Sequence, residues 1–225
     1  MENRQAILAQ WERLFLEGRN QELSAQVAGY LVTESTDSDV WLYQGISLYG
    51  LGKIKEAADA FEKSIALNPL NVRARSNYAS ALWTLGRYVD GMTACESAIR
   101  LDRNFVPAYI NNASCLASLG YVDLACTFLS RAVLIDDKNF RTVLRCAVLC
   151  AHFENYPLAF EMYLKTSQIE GVPEDIHQQI FEFLKLEKQK GFPRTEWLAQ
   201  INKWRDAFIS NKQVFDFATQ LISGQ

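Results

Sequence analysis

Residues 39–69 read DVWLYQGISLYGLGKIKEAADAFEKSIALNP, and the spacing of their apolar positions decides the fold. Trp41, Gly45 and Leu48 share one face of a first helical segment, and Ala57, Phe61 and Ser64 share one face of a second. Between the segments stands Gly52, a residue able to take the left-handed conformation that ends one helix and turns the chain into the next. Small residues let the two backbones approach while aromatic rings fill the gap, and Pro69 stops the second helix. The stretch is a helical hairpin.

The hairpin recurs along the chain. Gly18, Gly52, Gly86 and Gly120 are each 34 residues apart, a fixed period that marks stacked repeats. The copy after the quoted one keeps Tyr78, Ala79, Leu82, Gly86 and Ala98, with Gly91 and Cys95 where Ala57 and Phe61 stand in the first. The next keeps Tyr109, Ala113, Leu116, Gly120, Ala125, Leu129 and Ala132. A degenerate copy over 140–173 retains Ala147, Ala159 and Tyr163 but has Glu154 in place of the turn glycine, and a degenerate helix pair over 1–37 carries Trp11, Leu14 and Gly18. Outermost copies meet water or a cap, so departures belong there.

After Pro173 the pattern stops. Residues 174–190, EDIHQQIFEFLKLEKQK, open with acids and close with lysines, as suits a helix dipole, and Gly191, Phe192 and Pro193 interrupt them. Trp197, Ile201, Trp204 and Phe208 then form one apolar stripe, with Val214, Phe215, Phe217, Ala218, Leu221 and Ile222 in another. Residues 174–225 read as non-repeat amphipathic helices that cap or dock.

Composition excludes several function classes. With 49% hydrophobic and 22% charged residues in 225, the chain has the make-up of a soluble folded protein. A net charge of −3 offers no bulk electrostatic grip on nucleic acid, and no apolar run approaches a membrane span or a signal peptide. Cytoplasmic residence is the default. Five cysteines match no zinc spacing; Cys146, Cys150 and His152 lie close together but lack a fourth ligand nearby, so the thiols read as packing and neither metal nor cofactor is expected. His152 and His177 are the two histidines, and no nucleophile elbow or phosphate-binding glycine loop accompanies them, so no enzyme is expected.

The quoted stretch resembles the tetratricopeptide repeat: Trp41, Gly45, Ala57, Phe61 and Pro69 fall where that family's pattern asks for them, while Gln44 and Leu48 replace its usual Leu and Tyr. The resemblance implies an all-α, right-handed α–α superhelix, a solenoid of three repeats (38–71, 72–105 and 106–139) between the degenerate pair at 1–37 and the degenerate fourth repeat at 140–173. It also implies a concave groove lined by the first helix of each repeat. The groove-facing places of the family then fall on Leu42, Tyr43, Ile46, Tyr49, Arg73, Asn77, Trp83, Asn111, Arg141 and Arg145.

Leu42, Tyr43, Ile46, Tyr49 and Trp83 would give one end of the groove an apolar, aromatic lining. Asn77 and Asn111 hold equivalent places in adjacent repeats, and a row of carboxamides pairs with an extended backbone whatever its side chains. Arg141 and Arg145, one turn apart, suit a carboxylate. With Asn111 they resemble part of the clamp by which some of these domains hold the C-terminal carboxylate of heat-shock chaperones, although Ser76 and Ser80 stand where that clamp needs Lys and Asn. The implied function is a protein-binding adaptor or chaperone that holds an extended or helical segment of a partner. Alternatives are a groove filled by the chain's own N-terminal helices or by a dimer mate, and a structural subunit docking through 174–225. A further alternative is a chaperone similar to the translocator-binding class of bacterial type III secretion, from which the extra N-terminal copy and the long aromatic tail depart. Buried in the register, Trp41 and Phe61 would each cost about 3–5 kcal/mol on truncation to Ala.

Overall fold

The computed structural model describes residues 4–31 and 36–173; the helices expected at 174–225, with their aromatic stripes and His177, lie outside the described residues. The described residues hold ten α-helices and no strand. In chain order they are α1 (Arg4–Leu16), α2 (Asn20–Leu31), α3 (Ser38–Gly50), α4 (Ile54–Leu67), α5 (Val72–Thr84), α6 (Tyr88–Leu101), α7 (Val106–Ser118), α8 (Val122–Ile135), α9 (Phe140–His152) and α10 (Tyr156–Gln168). The fold is all-α, an array of helical hairpins. The chain divides into two compact units after Phe128, inside α8.

The turns repeat atom for atom. Gly18, Gly52, Gly86 and Gly120 all have φ between 70° and 87°, in the left-handed region. After each, the next N–H returns to a carbonyl five residues back: Arg19 to Leu14, Lys53 to Leu48, Arg87 to Leu82 and Tyr121 to Leu116, each at 2.9 Å. This closes the end of the first helix and satisfies carbonyls that would otherwise be orphaned. In the degenerate copy, Glu154 adopts φ 62°, and Asn155 N–H reaches Cys150 O at 2.9 Å. The backbone turn survives without the glycine, at the strain a side chain brings to that region.

A second device recurs at the other end of the first helices. Asp37, Asn71 and Asn139 precede α3, α5 and α9, and each side chain accepts a backbone N–H of the first turn: Asp39, Ala74 and Arg141. Such caps satisfy one of the four free donors of a helix start. Phe105, before α7, makes no such bond; Pro107 lies in that first turn and removes one donor instead.

In the first unit, Trp11 and Leu14 of α1, Leu23 and Val27 of α2, Leu42 and Ile46 of α3, and Phe61 of α4 are buried together. α3 and α4 meet at Gly45, where a Cβ would stand 2.5 Å from two ring carbons of Phe61. Phe61 is 1% exposed, in line with the register. Trp41 departs from expectation: it is partly buried at the edge of the core, with Lys63 Nζ 4.2 Å from its ring centroid. Less of this ring is buried than of Phe61, so its truncation costs less.

In the second unit α9 packs on α10, burying Val143, Cys146, Ala147 and Cys150 against a set that includes Ala159, Phe160, Met162 and Tyr163. All five cysteines of the chain are buried thiols rather than disulfides. Burial pushes the Cys115 thiol up to about 11 and that of Cys146 to about 12, so both stay protonated near neutrality. Cys150 Sγ lies 3.8 Å from Met162 Sδ, while His152 is exposed. Among the described residues no helix is long and apolar enough to cross a membrane.

Candidate functional site

The groove-facing places of the first unit lie on α3, α5 and α7, and the structure divides them by what they already hold. Leu42, Tyr43 and Ile46 are 2%, 4% and 6% exposed, which corrects the expectation that they line an open apolar end. α1 supplies the reason. Trp11 meets the Tyr43 ring edge-on at 5.5 Å, and the Tyr43 hydroxyl donates to Glu12 Oε2 at 2.6 Å. Arg73 Nη2 donates to the same oxygen at 2.8 Å, and its guanidinium lies 5.6 Å from the Tyr43 ring centroid. That end of the groove is occupied by the chain's own N-terminal helix.

The cluster is electrostatically self-contained. Burial pushes the Glu12 carboxyl up, but hydrogen bonds from Tyr43 and Arg73 outweigh it and hold the group below its ordinary value. Burial, reinforced by the Glu12 carboxylate, raises the Tyr43 phenol to about 12. Glu12 and Arg73 are therefore both ionised at neutral pH, and the positive charge of Arg73 is cancelled within the chain. Beside this link from α1 to α5, Arg4 of α1 ties to the start of α3, reaching Asp37 and Asp39 at 2.9 and 2.7 Å.

Tyr49 and Trp83 are spoken for at their polar ends. The Tyr49 hydroxyl lies 2.9 Å from Thr84 Oγ1, and Trp83 Nε1 donates to Ser118 Oγ at 2.8 Å. Both contacts join residues 35 apart, so the last turn of one first helix is stitched to the next. The Trp83 ring stays 41% exposed.

Asn77 and Asn111 are not equivalent. Asn111 Nδ2 donates to Ser76 O and Ser76 Oγ, both at 3.0 Å, 35 residues back. The corresponding neighbour of Asn77 is Leu42, whose side chain has no acceptor. Asn77 is half-buried and makes no hydrogen bond to a described residue. The expected carboxamide row reduces to one available member, because Asn111 has directed its donors inward.

Arg141 and Arg145 belong to the second unit. Both are exposed on α9 and line an open trough of about 530 Å³ with Phe140, Leu144, Val148, Leu149 and Pro173. Arg141 lies 5.7 Å from the Phe140 ring, and neither arginine forms an ion pair with a described residue. Sequence reasoning missed Glu12, Ser76 and Ser118 as partners of groove residues. The signal for Glu12 was present, since it holds the same place in the first copy that Ile46 holds in the second.

The tetratricopeptide repeat family matches residues 42–104. No curated protein matches the chain. Solved structures do: a thermophilic TPR protein of Thermus thermophilus superposes with a TM-score of 0.69 at 17% identity, covering 79% of this chain and 97% of its own. PilF of Pseudomonas aeruginosa gives 0.63 at 15% identity, covering 90% and 92% respectively. MamA of Desulfovibrio magneticus gives 0.57 at 17%, covering 76% and 97%. At these identities the likeness establishes the fold.

Proposed function

We propose that this tetratricopeptide-repeat protein is a non-enzymatic adaptor or chaperone of the cytoplasm that holds an extended segment of a partner protein against α5 and α7. The observation that carries the reading is Asn77, a half-buried carboxamide with donor and acceptor both unspent among the described residues, on a face whose neighbouring polar groups are internally bonded. A carboxamide so placed bonds the N–H and C=O of an extended chain without regard to its side chains. Repeat arrays present such faces as their contact surfaces.

The α9 trough favours an additional contact. Two arginines without an ionic partner among the described residues, beside an apolar floor, suit a segment in which a carboxylate follows apolar side chains. Affinity purification with wild type and with an Asn77→Glu variant tests the main reading. Partners retained by wild type should be lost from the variant while far-UV circular dichroism stays unchanged. Equal recovery from the folded variant removes α5 and α7 from the binding surface.

A further inference from the structure

The face formed by α5 and α7 has an unequal stock of donors and acceptors. Ser80 Oγ donates to Ser76 O at 3.4 Å, and Thr84 Oγ1 donates to Ser80 O at 3.0 Å. On α7, Ser114 donates to Ile110 O at 3.2 Å and Ser118 to Ser114 O at 2.9 Å. A hydroxyl has one proton and two lone pairs, so each of these groups has turned its proton inward and keeps acceptor capacity. Because Thr84 gives its proton to Ser80 O, Tyr49 is the donor in the Tyr49–Thr84 bond. Trp83 N–H and the Asn111 amide protons are likewise spent.

The charge on this face is also settled. Arg73, a groove-facing cation on α5, is neutralised by Glu12. Among the described residues, this face turns toward solvent a strip of oxygen lone pairs, the carboxamide of Asn77, part of the Glu12-paired Arg73 guanidinium and the exposed part of the Trp83 ring. Among the described residues, a carboxylate or phosphate on a partner finds one wholly unspent donor, Asn77, and in Arg73 a half-exposed guanidinium whose charge Glu12 already balances. A lysine or arginine finds oxygen acceptors and an aromatic face.

Resting on the groove reading above, we infer that α5 and α7 select a basic, extended protein segment and discriminate against acidic ones. The Trp83 ring is the seat for one cationic side chain, and Ser80 and Ser114 accept from its neighbours. Glu12 acts as a specificity-setting residue at a distance from the segment: by occupying Arg73 it keeps a positive charge from attracting acids to the same surface.

A randomised dodecapeptide library, panned on the immobilised full chain, provides the test. Sequences whose recovery falls about ten-fold on a folded Trp83→Ala variant report on this face, a factor within the range of one desolvated cation–π contact. These sequences should be enriched in Lys and Arg and depleted in Asp and Glu. A Glu12→Gln variant, which frees Arg73, should lose that bias and admit acidic sequences. A Trp83-dependent set rich in Asp and Glu overturns the inference and leaves the groove reading standing. If no sequence depends on Trp83 or on Asn77, tested in parallel with the folded Asn77→Glu variant, both fall together.

Discussion

Replacing Gly45 by Ala would place a methyl carbon 2.5 Å from Cδ1 and Cε1 of Phe61 and 2.9 Å from Cζ. The obstacle is a rigid ring, 1% exposed and enclosed by the core, so it cannot swing clear as the end of a flexible chain could. Helix propensity favours Ala over Gly by about 1 kcal/mol, whereas overpacking costs about 1–3 kcal/mol, so the single variant should lose up to about 2 kcal/mol. Phe61→Ala alone should lose about 3–5 kcal/mol through lost burial and an unfilled cavity. In that background the methyl introduced by Gly45→Ala enters the vacated space, the clash disappears, and the second substitution becomes stabilising by about 1 kcal/mol. Gly45→Ala thus turns from a loss into a gain, with a coupling of about 1–3 kcal/mol between the sites. Urea unfolding of all four proteins, followed by far-UV circular dichroism and compared only where the slopes agree, measures each corner of the cycle. Additivity within about 0.5 kcal/mol would refute the placement of Phe61 against Gly45.

Further outcomes follow from other residues. Glu154→Gly relieves a side chain at φ 62° and should stabilise the protein by about 1 kcal/mol in the same urea assay, after allowing for the added freedom of the unfolded chain. Asn112 is 1% exposed and neither its Oδ1 nor its Nδ2 has a hydrogen-bond partner among the described residues, so Asn112→Leu should raise stability by about 1–2 kcal/mol; a loss would mean the amide is bonded. The Tyr43 phenol is raised to about 12, so its contribution is complete below an unfolded value of about 10 and is lost as pH rises through 12. Wild type should therefore lose its stability advantage over Tyr43→Phe across that window. Glu12 has the opposite sense: its lowered value makes its contribution present above about 4.3 and lost as pH falls through the folded value, which Glu12→Gln should abolish.

The array was legible because its determinants are local and periodic. Glycines at 18, 52, 86 and 120 need only their own turns, and even Glu154, lacking the residue, keeps the turn because its neighbours hold the register. The caps at Asp37, Asn71 and Asn139 follow the same period and could have been found from it. The groove was legible in direction only. Register says which way Tyr43 points, but whether α1 lies over it depends on Trp11 and Glu12, in a copy with a weak signature. Asn77 and Asn111 look alike in sequence and differ in the structure because Ser76 offers oxygens where Leu42 offers a hydrocarbon side chain. Equivalence by position does not carry equivalence of hydrogen bonding when the neighbouring repeat changes residue type.

The stitches from Tyr49 to Thr84 and from Trp83 to Ser118 are bonds between neutral groups, whereas α1 is tied to α3 and α5 by Arg4, Asp37, Asp39, Glu12 and Arg73. Ionic strength therefore acts on the first unit unevenly. At about 0.15 M salt the screening length is about 8 Å, and at about 1 M it falls to about 3 Å, weakening half-exposed ion pairs while leaving uncharged hydrogen bonds nearly untouched. The fastenings of α1 soften along a salt gradient, and the spacing of α3, α5 and α7 does not. The same polypeptide thus has one end whose polar fastenings, laid over a buried apolar contact, answer to the electrolyte around it, and a middle whose polar fastenings do not.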